Sequence, residues 1–177
     1  MLKTFNQESL VKLIGYIIVP ILIVVPFFFI NPFRYNYTVL LNQDNAWIFY
    51  LSELPVLCFY ACLLYKIGKQ AFKNWNLIFI LQLICVISIM FVPYSEDDSS
   101  FSSNLHLIFA YGSLVFLNII LFQLLMPYSK LRTFYYALLF LSFLVAVTLG
   151  ILNGIAELIY GINLSITLTT LYKIKTI

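Results

Sequence analysis

Long apolar runs separated by short polar breaks set the rhythm of this chain. The runs cover about 12–30, 47–65, 76–93, 105–126, 134–151 and 155–171. Each is close to the roughly 20 residues that a helix needs to cross a bilayer. Strict alternation of apolar and polar positions, the mark of a membrane β-barrel strand, is missing. A spanning segment must satisfy its backbone hydrogen bonds internally, so these runs predict helices. The expected fold is an all-α membrane protein, one domain over 1–177, built as a bundle of six transmembrane helices. Pro20 and Pro26 fall inside the first run and predict a kink there. That run also reads as a retained span rather than a cleaved signal peptide.

Composition agrees with the pattern. The chain is 63% hydrophobic and only 10% charged, whereas a soluble domain carries about 25% charged residues. No water-facing surface can be assembled from that supply. The net charge of +3 comes from short clusters between runs, which gives no footing for nucleic acid.

Charge placement orients the bundle. With six spans, nine of the ten basic residues share one side: Lys3, Lys12, Lys66, Lys69, Lys73, Lys130, Arg132, Lys173 and Lys175. Only Arg34 falls on the other. The positive-inside rule makes the basic side cytoplasmic, with both termini there. Heavy use of Ile, Phe, Asn, Lys and Tyr resembles the product of an AT-rich bacterial genome, so the expected location is a bacterial inner membrane.

A few polar groups need a reason to lie in an apolar chain. Glu53 sits about two turns into the second span, His106 opens the fourth, and Asn153 and Glu157 lie at the start of the sixth. Ionisable groups at bilayer depth face a bundle interior or a cavity and mark functional sites. Glu53, His106, Asn153 and Glu157 are therefore candidate ligand-binding residues, lining a pocket open to the outer leaflet. The competing reading is structural, with the carboxylates bonding His106 or backbone amides and fixing helix register. Glu96, Asp97 and Asp98 form an acidic loop between the third and fourth spans, read as a solvated surface without calcium-loop spacing.

Gln82, Asn118 and Gln123 suggest interhelical hydrogen bonds. Tyr35, Tyr37 and Trp75 read as interface anchors, and Cys58, Cys62 and Cys85 as small buried apolar side chains. Gly150 and Gly154 make a GxxxG pair that permits close helix approach. Catalytic and metal-binding signatures are missing, and no cofactor is expected.

Three local features carry a family resemblance. Val92-Pro93 closes the third span, His106-Leu-Ile-Phe-Ala-Tyr-Gly112 opens the fourth, and Gly154-Ile-Ala-Glu157 opens the last. In these the chain resembles six-span proteins of the Frag1/DRAM/Sfk1 type and the similar bacterial DUF998 membrane proteins. The resemblance implies a six-helix bundle with lipid-related or accessory roles and without an agreed enzymatic activity. The function expected is thus non-enzymatic binding of lipid or a small amphiphile near the outer leaflet, with membrane lipids as partners. The alternatives are an accessory subunit of a larger membrane complex, with other membrane proteins as partners, and a membrane-embedded immunity protein.

The orientation is testable. Ser100→Cys should react with an impermeant maleimide in intact cells, and Ser129→Cys only after lysis. The reverse pattern would invert the topology.

Overall fold

The structure, a computed structural model, describes residues 7–42, 46–92, 101–149 and 153–176. Among the described residues there are helices and no strands. We number the six main helices α1 (Gln7–Phe28), α2 (Ala46–Gly68), α3 (Trp75–Phe91), α4 (Phe101–Leu125), α5 (Ser129–Leu149) and α6 (Gly154–Thr176). Five are long and apolar enough to cross a membrane, and α3 is a shorter apolar helix of 17 residues. At 1.5 Å per residue α3 is roughly 25 Å long. The acidic loop Glu96–Asp98, and Gly150 of the GxxxG pair, lie outside the described residues.

Several helices run past the apolar limits expected from the sequence. α5 starts at Ser129, ahead of Lys130 and Arg132, and α6 continues through Lys173 and Lys175. Their aliphatic stems let the backbone stay helical at headgroup level while the charged tips reach water.

The kink predicted in the first span has a specific form. The N–H of Val19 reaches back five residues to the carbonyl of Ile14, so Ile14–Ile18 is a π-helical turn. In that register the next donor, for the carbonyl of Gly15, would be residue 20, and Pro20 has no N–H. The hydroxyl of Ser165 on α6 donates to the Gly15 carbonyl instead. The same happens one helical segment later. Val25 bonds Leu22 in 3-10 fashion, and the next donor, for Ile23, would be Pro26. The hydroxyl of Tyr37 takes that carbonyl at 3.0 Å. Each proline frees a carbonyl, and a side chain from elsewhere occupies it.

α6 is the post of the bundle. It packs against α1, α2 and α5 and is the most enclosed and least apolar of the five long helices. Asn163, Ser165, Thr167 and Thr169 are each 0% exposed. Positions two apart on a helix point to nearly opposite faces, so this run means that α6 is covered on both sides. Ser165 faces α1, as above, while Asn163 donates to the carbonyl of Tyr135 on α5 at 2.8 Å. Ser142 on α5 donates to the carbonyl of Ala156 at 2.8 Å. α3 and α4 form a pair, joined in mid-membrane by Gln82 Nε2 donating to Ser113 Oγ at 2.9 Å.

Some side chains lie elsewhere than the sequence suggested. Cys58 and Cys62 are exposed on the outside of the bundle, not buried. On a spanning helix that surface meets lipid, where a small apolar thiol costs nothing. Trp75 is not an interface anchor: it is 2% exposed and covers Gly68, where a Cβ would collide with its indole. Tyr37 is 5% exposed rather than anchored at the surface, because its hydroxyl serves Ile23. Gln123 is exposed, so of the three amides only Gln82 and Asn118 turn inward.

Gly15 and Gly112 give a paired test. A side chain at Gly15 would strike Thr169, whereas nothing lies within 4 Å of a Cβ at Gly112. Gly15→Val should lower unfolding stability in detergent by about 1–3 kcal/mol, the usual range for overpacking. Gly112→Ala should leave it unchanged or slightly raised, as removal of a helix glycine does.

Candidate functional site

The site is assembled at the start of α6. A helix leaves its first N–H groups without internal partners, and here the first two are directed to one segment. The N–H of Gly154 donates to the carbonyl of Tyr35 at 2.8 Å, and that of Ile155 to the carbonyl of Pro32 at 3.3 Å. Asn153 caps the helix, its Oδ1 accepting from the N–H of Ala156 at 3.1 Å. The approach is close enough that a Cβ on Gly154 would lie 3.2 Å from Pro32 and from the ring of Phe27. The segment Pro32–Tyr37 is thus docked on the N-terminus of α6.

Glu157 returns a bond across the same junction. Its Oε2 accepts from the backbone N–H of Tyr37 at 2.7 Å. A carboxylate in the first turn of a helix also meets the positive end of the helix dipole. One of its roles is therefore structural, as the second sequence reading expected for a carboxylate bonded to a backbone amide.

Glu53 is different. It projects from α2 about 10 Å below that helix's start, seven residues at 1.5 Å each. Its Oε1 is enclosed and has no hydrogen-bond partner. Glu53 and Glu157 are near enough for their charges to repel. Burial first, and then the charges of Glu157 and Glu53, push the Tyr37 hydroxyl well above its ordinary range. Tyr37 therefore stays a hydroxyl and keeps its bond to Ile23. Tyr60, two turns further along the same face of α2, donates to the carbonyl of Gly161 and also feels the charge of Glu53. Among the described residues the only ion pair is Glu8 with Lys12, at the opposite end. Neither carboxyl group has a basic neighbour within ion-pair reach among the described residues.

His106 does not join this group. It is 4% exposed, and its Nδ1 lies 2.7 Å from the carbonyl of Val92, at the C-terminal end of α3. That bond ties α3 to α4 on the other side of the bundle. The structure thus brings Glu53, Asn153 and Glu157 to one junction and places His106 at another.

Below the carboxyl pair runs a polar network of which the sequence singled out only Asn118. Tyr135 donates to Asn118 Oδ1 at 2.8 Å, and Asn118 Nδ2 lies 3.4 Å from the hydroxyl of Tyr160. Asn163 and Thr167 continue it, with Thr167 Oγ1 3.3 Å from Asn163 Oδ1. The available signal was the density of Asn, Ser and Thr in the last span, which made it the least apolar of the five long helices.

This arrangement offers acceptors and little else. No nucleophile with an adjacent base is built from these residues. Among the described residues no three His, Cys, Asp or Glu side chains gather as a metal site. The enclosed Glu53 oxygen would take a hydrogen bond from an ammonium or hydroxyl group of a ligand.

Fold and site together define an all-α, multi-pass membrane protein of about six helices. Comparison with protein-family models, with curated proteins and with solved structures finds no match.

The junction makes a graded prediction. Glu157→Gln keeps an oxygen for the Tyr37 amide and should cost little stability. Glu157→Leu strands that N–H and should cost about 1–3 kcal/mol. Thermal unfolding in detergent separates the two.

Proposed function

We propose that this protein binds an amphiphile with a positively charged headgroup at the acidic end of the bundle, without chemical conversion. The observation that carries this reading is the enclosed, unpartnered oxygen of Glu53 beside a second carboxylate. Isolated charges at bilayer depth cost several kcal/mol, and a bundle interior ordinarily pairs them. An ammonium group between Glu53 and Glu157 would supply the missing donor and relieve their repulsion. Its alkyl chain would leave along the lipid-facing surface of α2, where Leu51 and Leu54 are exposed. In this reading the acidic end faces the outer leaflet of a bacterial cytoplasmic membrane, with both termini inside, as the segregation of lysines supports. Asn153 shapes the junction by capping α6, and His106 stands outside it.

The test uses dodecylamine as ligand and dodecanol, its uncharged counterpart, as control. Bound ligand raises the melting temperature, by more the tighter it binds at a given concentration. Dodecylamine should stabilise the wild type and dodecanol should not. Glu53→Gln and Glu157→Gln should each weaken binding about tenfold, equivalent to about 1.4 kcal/mol, while His106→Ala should leave it unchanged. Equal stabilisation of wild type and both glutamine variants would defeat the reading.

A further inference from the structure

The opposite end of α6 carries a second set of charges, of the other sign. Lys12 lies on α1, Lys66 at the end of α2 and Lys173 in the last turn of α6. These residues are far apart in the chain, yet all three lie at this end of the bundle. Lys66 Nζ stands 5.6 Å from the ring centre of Tyr172, a side chain only 7% exposed. Lys12 pairs with Glu8, and Glu8 also feels the charge of Lys173. Lysines from three helices thus share this end of the bundle, Lys12 and Lys173 through Glu8 and Lys66 through the ring of the residue before Lys173, and Glu8 neutralises one.

Helix geometry alone accounts for part of this. Cations near the end of a helix favour its negative pole, and α6 ends here. One lysine would serve that purpose, and Lys175 on α6 is also available. Lys12 and Lys66 come from other helices and are not needed for it.

The neighbouring surface is apolar. Leu13 on α1 and Ile174 on α6, each directly following one of these lysines in the chain, are exposed. A net positive notch at headgroup level, bordered by aliphatic side chains that continue into the hydrocarbon region, matches a molecule with an anionic head and acyl chains. Basic recesses between membrane helices hold acidic lipid headgroups in this way.

We infer that Lys12, Lys66 and Lys173 form a binding site for the phosphate of an anionic phospholipid, at the end of α6 away from Glu157. The carboxyl pair plays no part, so this inference stands or falls separately from the proposed amine site. Lys66 and Lys173 bracket the phosphate from α2 and α6, and the exposed side chains of Leu13 and Ile174 receive an acyl chain.

The experiment is native mass spectrometry of the full chain released from nanodiscs containing equal amounts of phosphatidylglycerol and phosphatidylcholine. The expected result is retention of phosphatidylglycerol at least about fivefold above phosphatidylcholine. Lys66→Gln with Lys173→Gln should abolish that preference, and Lys66→Arg with Lys173→Arg should keep it. The arginine pair also controls for folding, since it alters both positions while preserving charge. Glu53→Gln should have no effect on the preference. Equal retention of the two lipids, or an undiminished preference in the glutamine pair, would overturn the inference. So would displacement of the lipid by millimolar inorganic phosphate, which would make the site one for the free anion.

Discussion

In hydrocarbon a backbone carbonyl without a donor has no water to turn to, and this bundle is arranged around two such carbonyls. Pro20 and Pro26 withhold the N–H groups that Gly15 and Ile23 would otherwise receive. Ser165 and Tyr37 supply replacements. Those two bonds fix α1 against α6 and against the segment that follows α1. The π turn, the 3-10 end of α1, the buried position of Tyr37 and the need for glycine at position 15 all follow from them. Two residues that weaken a helix have become the points at which it is held.

The same economy explains the character of α6. Apolar packing cannot drive helices together in lipid as it does in water, and association depends on close fit and hydrogen bonds. A central helix that bonds to several neighbours must therefore be polar on several faces. Asn163 serves α5, Ser165 serves α1 and Glu157 serves the Tyr37 segment. Against that background Glu53 stands apart as the one carboxyl group among the four enclosed side-chain polar atoms that bond nothing within the described chain, the others being Trp75 Nε1, Gln82 Oε1 and Thr169 Oγ1. Structural need accounts for nearly every other polar group in this half of the bundle.

The number and approximate limits of the helices were legible in the sequence, because span length and the spacing of lysines are strong signals at a bilayer. The candidate site was partly legible. Glu53 and Glu157 stood out because charges are rare in such runs, but their spatial relation to each other and to His106 depended on which helices pack together. Apolar runs do not encode that. His106 looked equivalent to the carboxylates in depth, yet depth says nothing about position around the bundle. Trp75 and Tyr37 were misjudged for a related reason. An aromatic residue near a span end reads as an interface anchor unless a partner is known, and their partners, Gly68 and Ile23, are set by tertiary contact. Cys58 and Cys62 show the reverse: in lipid, a residue common in soluble cores has no reason to avoid the surface.

The bond from Ser165 to Gly15 joins residues 150 positions apart, and the amide of Gly154 closes on Tyr35. Translation runs from the N-terminal side, so α1 is made before α6. Until α6 enters the bilayer, α1 carries an unanswered carbonyl and its following segment lacks its dock. The earlier helices are therefore held unfinished until α6 arrives to close them. A nascent chain halted between α1 and α6 would present that unanswered carbonyl to hydrocarbon, where no water can take it.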